Sequence, residues 1–415
     1  MALFDSDRSR FREIFVSDEH RTLRVILLGI VLAIAVTALT VGLVELLSVD
    51  PGWQEVEISQ SGVHCGGDFL FQYNYGVGGA DAAAERKELQ MLYAQCASDA
   101  YWMFSPDVVD SNQSNLHTVN HNIGKTVTVH PALYKAFEQM EASGCRDHYL
   151  GPVYVVYKNL AFSQGDDAAA AWDPNRNEEQ AQYVAQLAAF ARDEQTVNLA
   201  LLGNNQVQLQ VSEEYLQFAE ANEIENYVDF GWMKNAFIID YFAETIAEKG
   251  YTQGYFVSQD GFTRNLSAGV QFRMNLFDRE NGTVYVAASM PYEGPLSAVA
   301  LRNYPNSMQS AWDYYAYTDG TITTSFVDIG DGLSRSATSD LLCYSKEVGC
   351  AQLLLQMLPV YISDQLDTNA LTQLAVKGVF SIWGEGDTLR YTDPDAKLEA
   401  LMVTEEIAYK AEFFS

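Results

Sequence analysis

Basic residues are scarce in this sequence, which has 25 Lys and Arg against 55 Asp and Glu and a formal net charge of −30. A chain this acidic repels both the phosphate backbone of nucleic acids and anionic lipid headgroups. We therefore expect no nucleic-acid partner. The hydrophobic content of 48% is ample for a buried core, so disorder is not expected for most of the chain.

Familiar catalytic and metal-binding patterns are also missing. The sequence has no glycine-rich dinucleotide loop after a strand, no Walker loop, no GxSxG and no HExxH. Its five cysteines show no CxxC or zinc-type spacing, and only Cys343 and Cys350 lie close enough in sequence to suggest a bridge. Composition and spacing by themselves leave the function open.

One long apolar run stands near the N-terminus. Residues 25–47 contain no charged side chain before Glu45. Their 23 residues would form a helix of about 34 Å, which is enough to cross a hydrocarbon core of about 30 Å. The run is too long for a cleaved signal peptide, whose apolar stretch is about 7–15 residues. We therefore predict one uncleaved membrane helix over residues 25–48.

The distribution of arginine predicts the orientation of this helix. Five Arg precede the apolar run, and the first Lys or Arg after it is Arg86. The positive-inside rule then places residues 1–24 in the cytoplasm as a short tail and the rest outside the cell membrane. Residues 49–60 are interpreted as a linker. Residues 61–415 are interpreted as one extracytoplasmic domain, because no repeat or low-complexity tract divides them.

The exported part alternates between helical and strand patterns. Hydrophobic periodicity predicts helices over 85–104, 131–143, 178–193 and 232–250. Strands are predicted at 207–211, 255–257, 270–276, 283–288 and 321–327. Because the later strands follow one another directly, antiparallel sheets are favoured over a doubly wound parallel one. The predicted fold class is α+β.

Several segments form a recognisable pattern when they are taken in their order along the chain, although no single one of them is decisive. They are SNLHTVN (114–120), GKTVTV (124–129), a Gly144, Asp147 and GPV (151–153) element, DFGWMKNAFIID (229–240), YFVSQDG (255–261), SAWDYY (310–315) and SFVDIGDG (325–332). Together they resemble the ApbE-like family, the FAD:protein FMN transferases. The resemblance spans about residues 61–360 and implies an ApbE-like domain behind the membrane helix.

The resemblance also implies chemistry, cofactors and partners. Family members are exported, often membrane-anchored enzymes that bind FAD and Mg²⁺, cleave the FAD pyrophosphate and attach FMN to a protein hydroxyl, so an envelope or respiratory protein is an expected partner. The cofactor-binding residues implied here are Ser114, Asn120, Asp147, Gly151, Pro152, Asp229, Lys234 and Asp240. No catalytic residue is assigned.

The chain departs from the family at the metal element, an Ala-Asp-Ala-x-x-Thr helix near the C-terminal end. The corresponding helix at 347–363 has no Asp or Thr, and Leu353, Leu354 and Leu355 offer no side-chain oxygen to Mg²⁺. Ser325 stands where the family has a His. The leading prediction is therefore a module that binds flavin or a partner and is degenerate at the metal site.

Two alternatives stay open. The first is an active, divergent transferase that attaches FMN to Thr or Ser of an envelope protein. Its metal ligands would then come from elsewhere, with Asp260, Asp313, Asp328 and Asp331 as candidates. The second is an unrelated membrane-anchored sensor or solute-binding domain.

Overall fold

The computed structural model describes most of the chain beyond residue 49. The described residues are 26–27, 29–37, 39, 50–58, 68–109, 113–280, 282–306, 313–404 and 407–415. Those between 26 and 39 are helical and exposed. The predicted tail 1–24 and the rest of the predicted membrane helix 25–48 lie outside the described residues. Within the part that is described, no helix is both long and apolar enough to cross a membrane.

Ten labelled helices follow residue 80. They are α1 (Ala82–Met103), α2 (Leu116–Asn120), α3 (Pro131–Ser143), α4 (Gly151–Ala161), α5 (Asp166–Trp172), α6 (Glu178–Arg192), α7 (Glu213–Ala221), α8 (Lys234–Glu248), α9 (Cys350–Tyr361) and α10 (Thr368–Val376). Local signals fix several of their ends. Asp81 caps α1 by accepting hydrogen bonds from the Ala83 and Ala84 amides. Helix α3 opens on Pro131 and closes on the left-handed Gly144.

Sixteen labelled strands complete the described structure. They are β1 (Gly52–Glu55), β2 (Phe69–Tyr75), β3 (Thr126–Thr128), β4 (Val197–Gly203), β5 (Gln206–Val211), β6 (Gly254–Ser258), β7 (Phe262–Asn265), β8 (Gln271–Glu280), β9 (Thr283–Glu293), β10 (Leu296–Arg302), β11 (Tyr314–Ala316), β12 (Ile322–Thr324), β13 (Asp340–Ser345), β14 (Phe380–Glu385), β15 (Thr388–Tyr391) and β16 (Lys410–Phe413).

A nine-stranded sheet organises the fold, in the order β1-β2-β6-β7-β10-β13-β14-β15-β16. Every neighbouring pair in it is antiparallel except β15 and β16. A three-stranded sheet, β3-β5-β4, and the pairs β8-β9 and β11-β12 lie beside it. The predicted antiparallel α+β class is thus confirmed.

Both faces of the large sheet are covered. On β10, Val299 and Leu301 belong to the main core that the helices build. Their neighbours Ala298 and Ala300 belong to a second buried cluster, formed with the β8-β9 hairpin and the C-terminal segment. This alternation follows from the two-residue period of a strand.

The predicted elements agree with the structure except at the N-terminal edge. Helix α3 matches its predicted bounds, while α1, α6 and α8 differ from theirs by a few residues at either end. Gly52–Glu55, within the expected linker 49–60, instead pairs with β2 as the edge strand β1. Cys343 and Cys350 do not form the bridge that their spacing suggested, since both are free, buried thiols.

Candidate functional site

A cavity of about 530 Å³ lies where the C-terminal end of α1, helix α4, the N-terminal end of α8 and the β6-β7 turn meet. This volume is within the usual range for small-molecule sites. Its lining combines three kinds of side chain. The aromatic ones are Tyr101, Phe104, Tyr154, Phe162 and Trp232; the acids are Asp68, Asp107, Asp229, Asp260 and Asp313; the bases are Lys158 and Lys234.

The segment that directly precedes α8 forms a tight turn beside the cavity. The Asp229 amide donates to the His148 carbonyl at 2.8 Å, and the Gly231 amide donates to Asp229 Oδ1 at 2.9 Å. Gly231 has φ of 53°, and a Cβ there would lie 2.6 Å from the Tyr154 ring, so this turn needs glycine. Helix α8 then begins at Lys234 without a side-chain cap.

Three aspartates on the cavity wall interact electrostatically. Burial, together with the charges of Asp260 and Asp68, raises the pKa of Asp313 to about 7. Burial raises the pKa of Asp260 to about 6, with a further contribution from Asp68, whose own pKa is raised by burial. Lys234 partly offsets these effects at Asp313 and Asp68. The wall therefore holds more negative charge than its cation balances.

Asn235 connects this acidic wall to the start of α8. Its Nδ2 donates to Asp260 Oδ2 at 2.9 Å. The residue is only 9% exposed, and its Oδ1 has no hydrogen-bond partner in the described structure; neither has Asp260 Oδ1. Two oxygen acceptors beside one cavity are thus left without donors.

Replacing Asp313 with Asn should stabilise the protein in a pH-dependent way. An unfolded Asp titrates near 3.8 and folded Asp313 near 7, so the folded state holds the extra proton between these values. Its free energy of unfolding therefore falls as pH rises through that window. In EDTA, Asp313→Asn should raise the free energy of unfolding by about 1–2 kcal/mol at pH 8 and leave it unchanged near pH 4.

Urea unfolding of the full chain in mild detergent at both pH values measures this difference. Asp107→Asn is the matched control, since Asp107 lines the same cavity, is exposed, and accepts from Asn226 Nδ2 at 2.7 Å, a bond that asparagine keeps. An equal gain at both pH values would show that the Asp313 charge is not the cause.

Four of the residues singled out from the sequence line this cavity: Asp229, Lys234, Asp260 and Asp313. They were chosen from three separate segments, and the fold brings them to one wall. Ser325, which the resemblance sets at a His position of the family, lines it too. The Ser325 amide donates to the Asp313 carbonyl at 2.9 Å, which fixes these two segments side by side.

Asn120, Gly151 and Pro152 lie behind the residues that line the cavity and do not border it. Asn120 is buried and bonds both the carbonyl and the amide of Val228 at 2.9 Å. Gly151 and Pro152 begin α4, and a Cβ at Gly151 would lie 2.7 Å from the Asn226 carbonyl oxygen. Ser114 lies one residue before the Asn115 cap of α2 and is not part of the lining. All four lie outside the cavity surface.

Asp147 and Asp240 are buried elsewhere. The Cys145 thiol donates to Asp147 Oδ2 at 3.0 Å, and burial raises the pKa of Asp147 to about 6. Asp240 accepts from the Cys350 and Ala351 amides, each at 2.9 Å, and so caps α9. The expectation that these two residues contact the same cofactor as Lys234 does not fit these positions.

The four predicted metal ligands do not form one site. Asp328 and Asp331 both bind the Arg335 guanidinium, which also reaches Asp364 at 3.0 Å. Since this guanidinium neutralises the two carboxylates, Asp328 and Asp331 are structural ion-pair partners, separate from Asp260 and Asp313. Among the described residues, no group of three or more His, Cys, Asp or Glu side chains is placed to hold a metal ion.

Helix α9, to which the resemblance assigns the family's metal element, packs into the core. Leu353, Leu354 and Leu355 are all buried in the main hydrophobic cluster. In its first turn, the Cys350 and Ala351 amides donate hydrogen bonds to the Asp240 carboxylate. The residues present therefore do not fit a Mg²⁺ ion on this helix.

Several lining residues had no signal in the sequence. Asp68 directly precedes β2, outside any recognised segment, and Lys158 lies on α4 beyond the Gly-Pro element. Trp232 and Asn235 lie inside the segment 229–240 that carries the resemblance, but neither was selected as a site residue. Asp68 could be found only from the fold.

Comparison with solved structures shows that the chain has an ApbE-like fold. The chain is similar to the ApbE protein of Thermotoga maritima, with a TM-score of 0.51 and 9% identity over 76% of this chain and 90% of that one. It is similar to the flavin transferase ApbE of Vibrio cholerae, with a TM-score of 0.54 and 13% identity over 85% and 98%. No protein-family model matches the sequence, and comparison with curated proteins gives no significant match.

Proposed function

We propose that this protein is a membrane-anchored, extracytoplasmic ApbE-like module that binds a flavin nucleotide in its cavity and has lost FMN transferase activity. The observation that carries this proposal is the pairing of aromatic and basic side chains on the lining of one cofactor-sized cavity. A flavin nucleotide supplies a planar ring system and a phosphate chain, and the lining offers a counterpart to each.

The aromatic part of the lining suits the ring. Trp232 and Phe104 are buried side chains that border the cavity, and Tyr101 lies beside them on α1. Aromatic faces at about 4.5–7 Å from a second ring system favour offset or edge-to-face packing. A planar heteroaromatic ligand is therefore a better fit than an aliphatic one.

The basic part suits a phosphate. Lys158 and Lys234 line the cavity, and Lys234 is the first residue of the 15-residue helix α8. A helix N-terminus carries a partial positive charge, which favours a bound anion. Lys234 adds its ammonium at that same point.

Loss of transfer chemistry is proposed from helix α9. Its leucines are buried in the core, its Cys350 and Ala351 amides bind Asp240, and it has no Asp or Thr side chain to place beside a pyrophosphate. The apolar run at 25–47 and the arginines before it support an anchor with a cytoplasmic N-terminus. An envelope or respiratory membrane protein is the partner class that this location suggests.

Flavin titration of the full chain in mild detergent, followed by flavin fluorescence, tests the proposal. Lys234→Ala should weaken FMN and FAD binding about tenfold, because one phosphate contact is lost, and leave riboflavin binding nearly unchanged. Lys135→Ala is the control, since Lys135 pairs with Glu244 on the surface. Absence of binding for all three flavins, or equal weakening of riboflavin, would contradict the proposal.

A second candidate function is an active, divergent transferase. The placement of Asp260 and Asp313 on one cavity wall favours it, since carboxylates there could hold a metal beside a phosphate. Incubation of the full chain with FAD, Mg²⁺ and a generic acceptor protein separates the two. Release of AMP together with a flavin-labelled acceptor would replace the binding-module proposal with this one.

A further inference from the structure

Four aromatic side chains lie together on one face of the large sheet, beside its β1 edge. They are Trp53 on β1, Tyr255 on β6, Phe272 on β8 and Tyr292 on β9. Neighbouring ring centroids among them are 5.6 or 5.7 Å apart, a spacing that aromatic pairs favour. We call these four residues the aromatic cluster.

The aromatic cluster extends a buried core toward solvent. Strand pairing places Tyr255 on the same face of the sheet as Leu296, which belongs to the second buried cluster. At the β1 edge this face is more open, since Trp53 is 39% exposed and Leu70, beside it on β2, is 37% exposed. Large apolar side chains that are exposed together, rather than singly, indicate an interaction surface.

The aromatic cluster lies at the end of the sheet where the chain arrives from the predicted membrane helix. Antiparallel pairing brings the first residues of β1 and β6 to the same end, through the last residues of β2. Only residues 49–52 separate the predicted helix 25–48 from Trp53. At about 3.5 Å per residue, Trp53 lies at most about 18 Å from the end of that helix. A tether this short keeps the cluster near the bilayer surface.

We propose that the aromatic cluster docks onto the interfacial region of the lipid bilayer and holds the domain against the membrane. Trp and Tyr favour this region because their rings are apolar while their N–H or O–H group stays among the polar headgroups. The inference rests on the membrane anchor in the proposed function, and it does not depend on flavin binding.

The charges near Trp53 favour zwitterionic lipid over anionic lipid. Three exposed acids, Asp50, Glu55 and Glu57, flank Trp53 in the chain. Residues 25–85 contain no Lys or Arg. Anionic headgroups would be repelled by these carboxylates, whereas the neutral phosphatidylcholine headgroup would not. The lipid that suits this surface is therefore a zwitterionic one.

Quenching of tryptophan fluorescence by phosphatidylcholine brominated on its acyl chains tests this surface. The full chain is incorporated into vesicles of this lipid and compared with the same chain in unbrominated vesicles. Quenching needs contact between ring and bromine, so closeness to the bilayer alone does not produce it. Trp53→Phe should lose the quenching that the unchanged chain shows.

Trp172→Phe is the matched control and should keep the quenching. Trp172 is also 39% exposed, but it ends helix α5, whose Ala169 packs into the main core on the other face of the sheet. Urea unfolding of each variant checks that it is folded. Equal loss of quenching in both variants would overturn the assignment to the aromatic cluster.

Tyr255→Gln keeps Trp53 as the reporter and removes one interfacial ring, so it should lower the quenching. Tyr183→Gln is its control, because Tyr183 is also partly buried but stacks on Phe218 among the helices. Adding phosphatidylglycerol at low salt should lower the quenching too. Stronger quenching on the anionic vesicles would overturn the choice of zwitterionic lipid.

Vesicle flotation separates this inference from the proposed anchor. A chain that floats with the vesicles while its Trp53 is not quenched would overturn the docking surface and leave the anchor and the flavin proposal standing. Emission that then changes with the protein-to-lipid ratio would assign the aromatic cluster to contact with a second copy of the chain. A chain that does not float would overturn both the anchor and the docking.

Discussion

Asp240→Ala should lower the free energy of unfolding by about 3–5 kcal/mol while leaving flavin affinity unchanged in the folded protein. Asp240 is 7% exposed, caps α9 through the Cys350 and Ala351 amides, and lies 3.5 Å from Arg264 Nε. Alanine would leave two buried amides without their acceptor and would remove the carboxylate that balances the charge of the partly buried Arg264 guanidinium. The family resemblance instead implies a cofactor contact, so the two roles predict different measurements.

Urea unfolding monitored by circular dichroism, together with flavin titration, decides between them. Asp367→Ala is the matched control, because Asp367 also caps a helix through its side chain, at 3.0 Å from the Ala370 amide, but is exposed. Its loss should cost about 1 kcal/mol. A similar small cost for Asp240→Ala, combined with a large loss of flavin affinity, would favour the cofactor role.

Asn120→Ala should lower the free energy of unfolding by about 2–4 kcal/mol. Asn120 is 2% exposed, and its amide group pairs with both the carbonyl and the amide of Val228, which is fully buried. Both backbone groups would be left without partners. Because Val228 directly precedes Asp229 on the cavity wall, flavin affinity should fall as well.

Asn222→Ala is the comparison for this variant. Asn222 also bonds a backbone carbonyl, that of Phe218 at 2.8 Å, but on the exposed end of α7. Its loss should cost less than about 0.5 kcal/mol, as is usual for an exposed surface position. Equal costs for the two variants would mean that the 226–230 segment does not depend on Asn120.

Much of the local structure could be predicted from the sequence. Helices α1, α3, α6 and α8 follow from apolar residues at helical spacing, and local signals such as Pro131 and Gly144 mark their ends. Strands β5, β8 and β9 follow from alternation and β-branched residues. These signals act between residues close in sequence, so a pattern is enough to detect them.

The candidate site could be predicted only in part. The resemblance selected Asp229, Lys234, Asp260 and Asp313, which the fold does place on one cavity. It also selected Asp240, whose partners Cys350 and Ala351 lie 110 residues or more along the chain. A motif gives only the residue type at a position, and the same residue type can bind a ligand in one protein and cap a helix in another protein of the same fold.

The sequence by itself determined the acidic charge balance, the apolar run at 25–47, the α+β class and most element positions. Only the tertiary structure decided which carboxylates are neutralised and which are not. Asp328 and Asp331 meet Arg335, whereas Asp260 and Asp313 meet Asp68 and each other on a cavity wall. The reason is physical: the free energy of a charged group depends on its burial and on neighbours brought close by the fold.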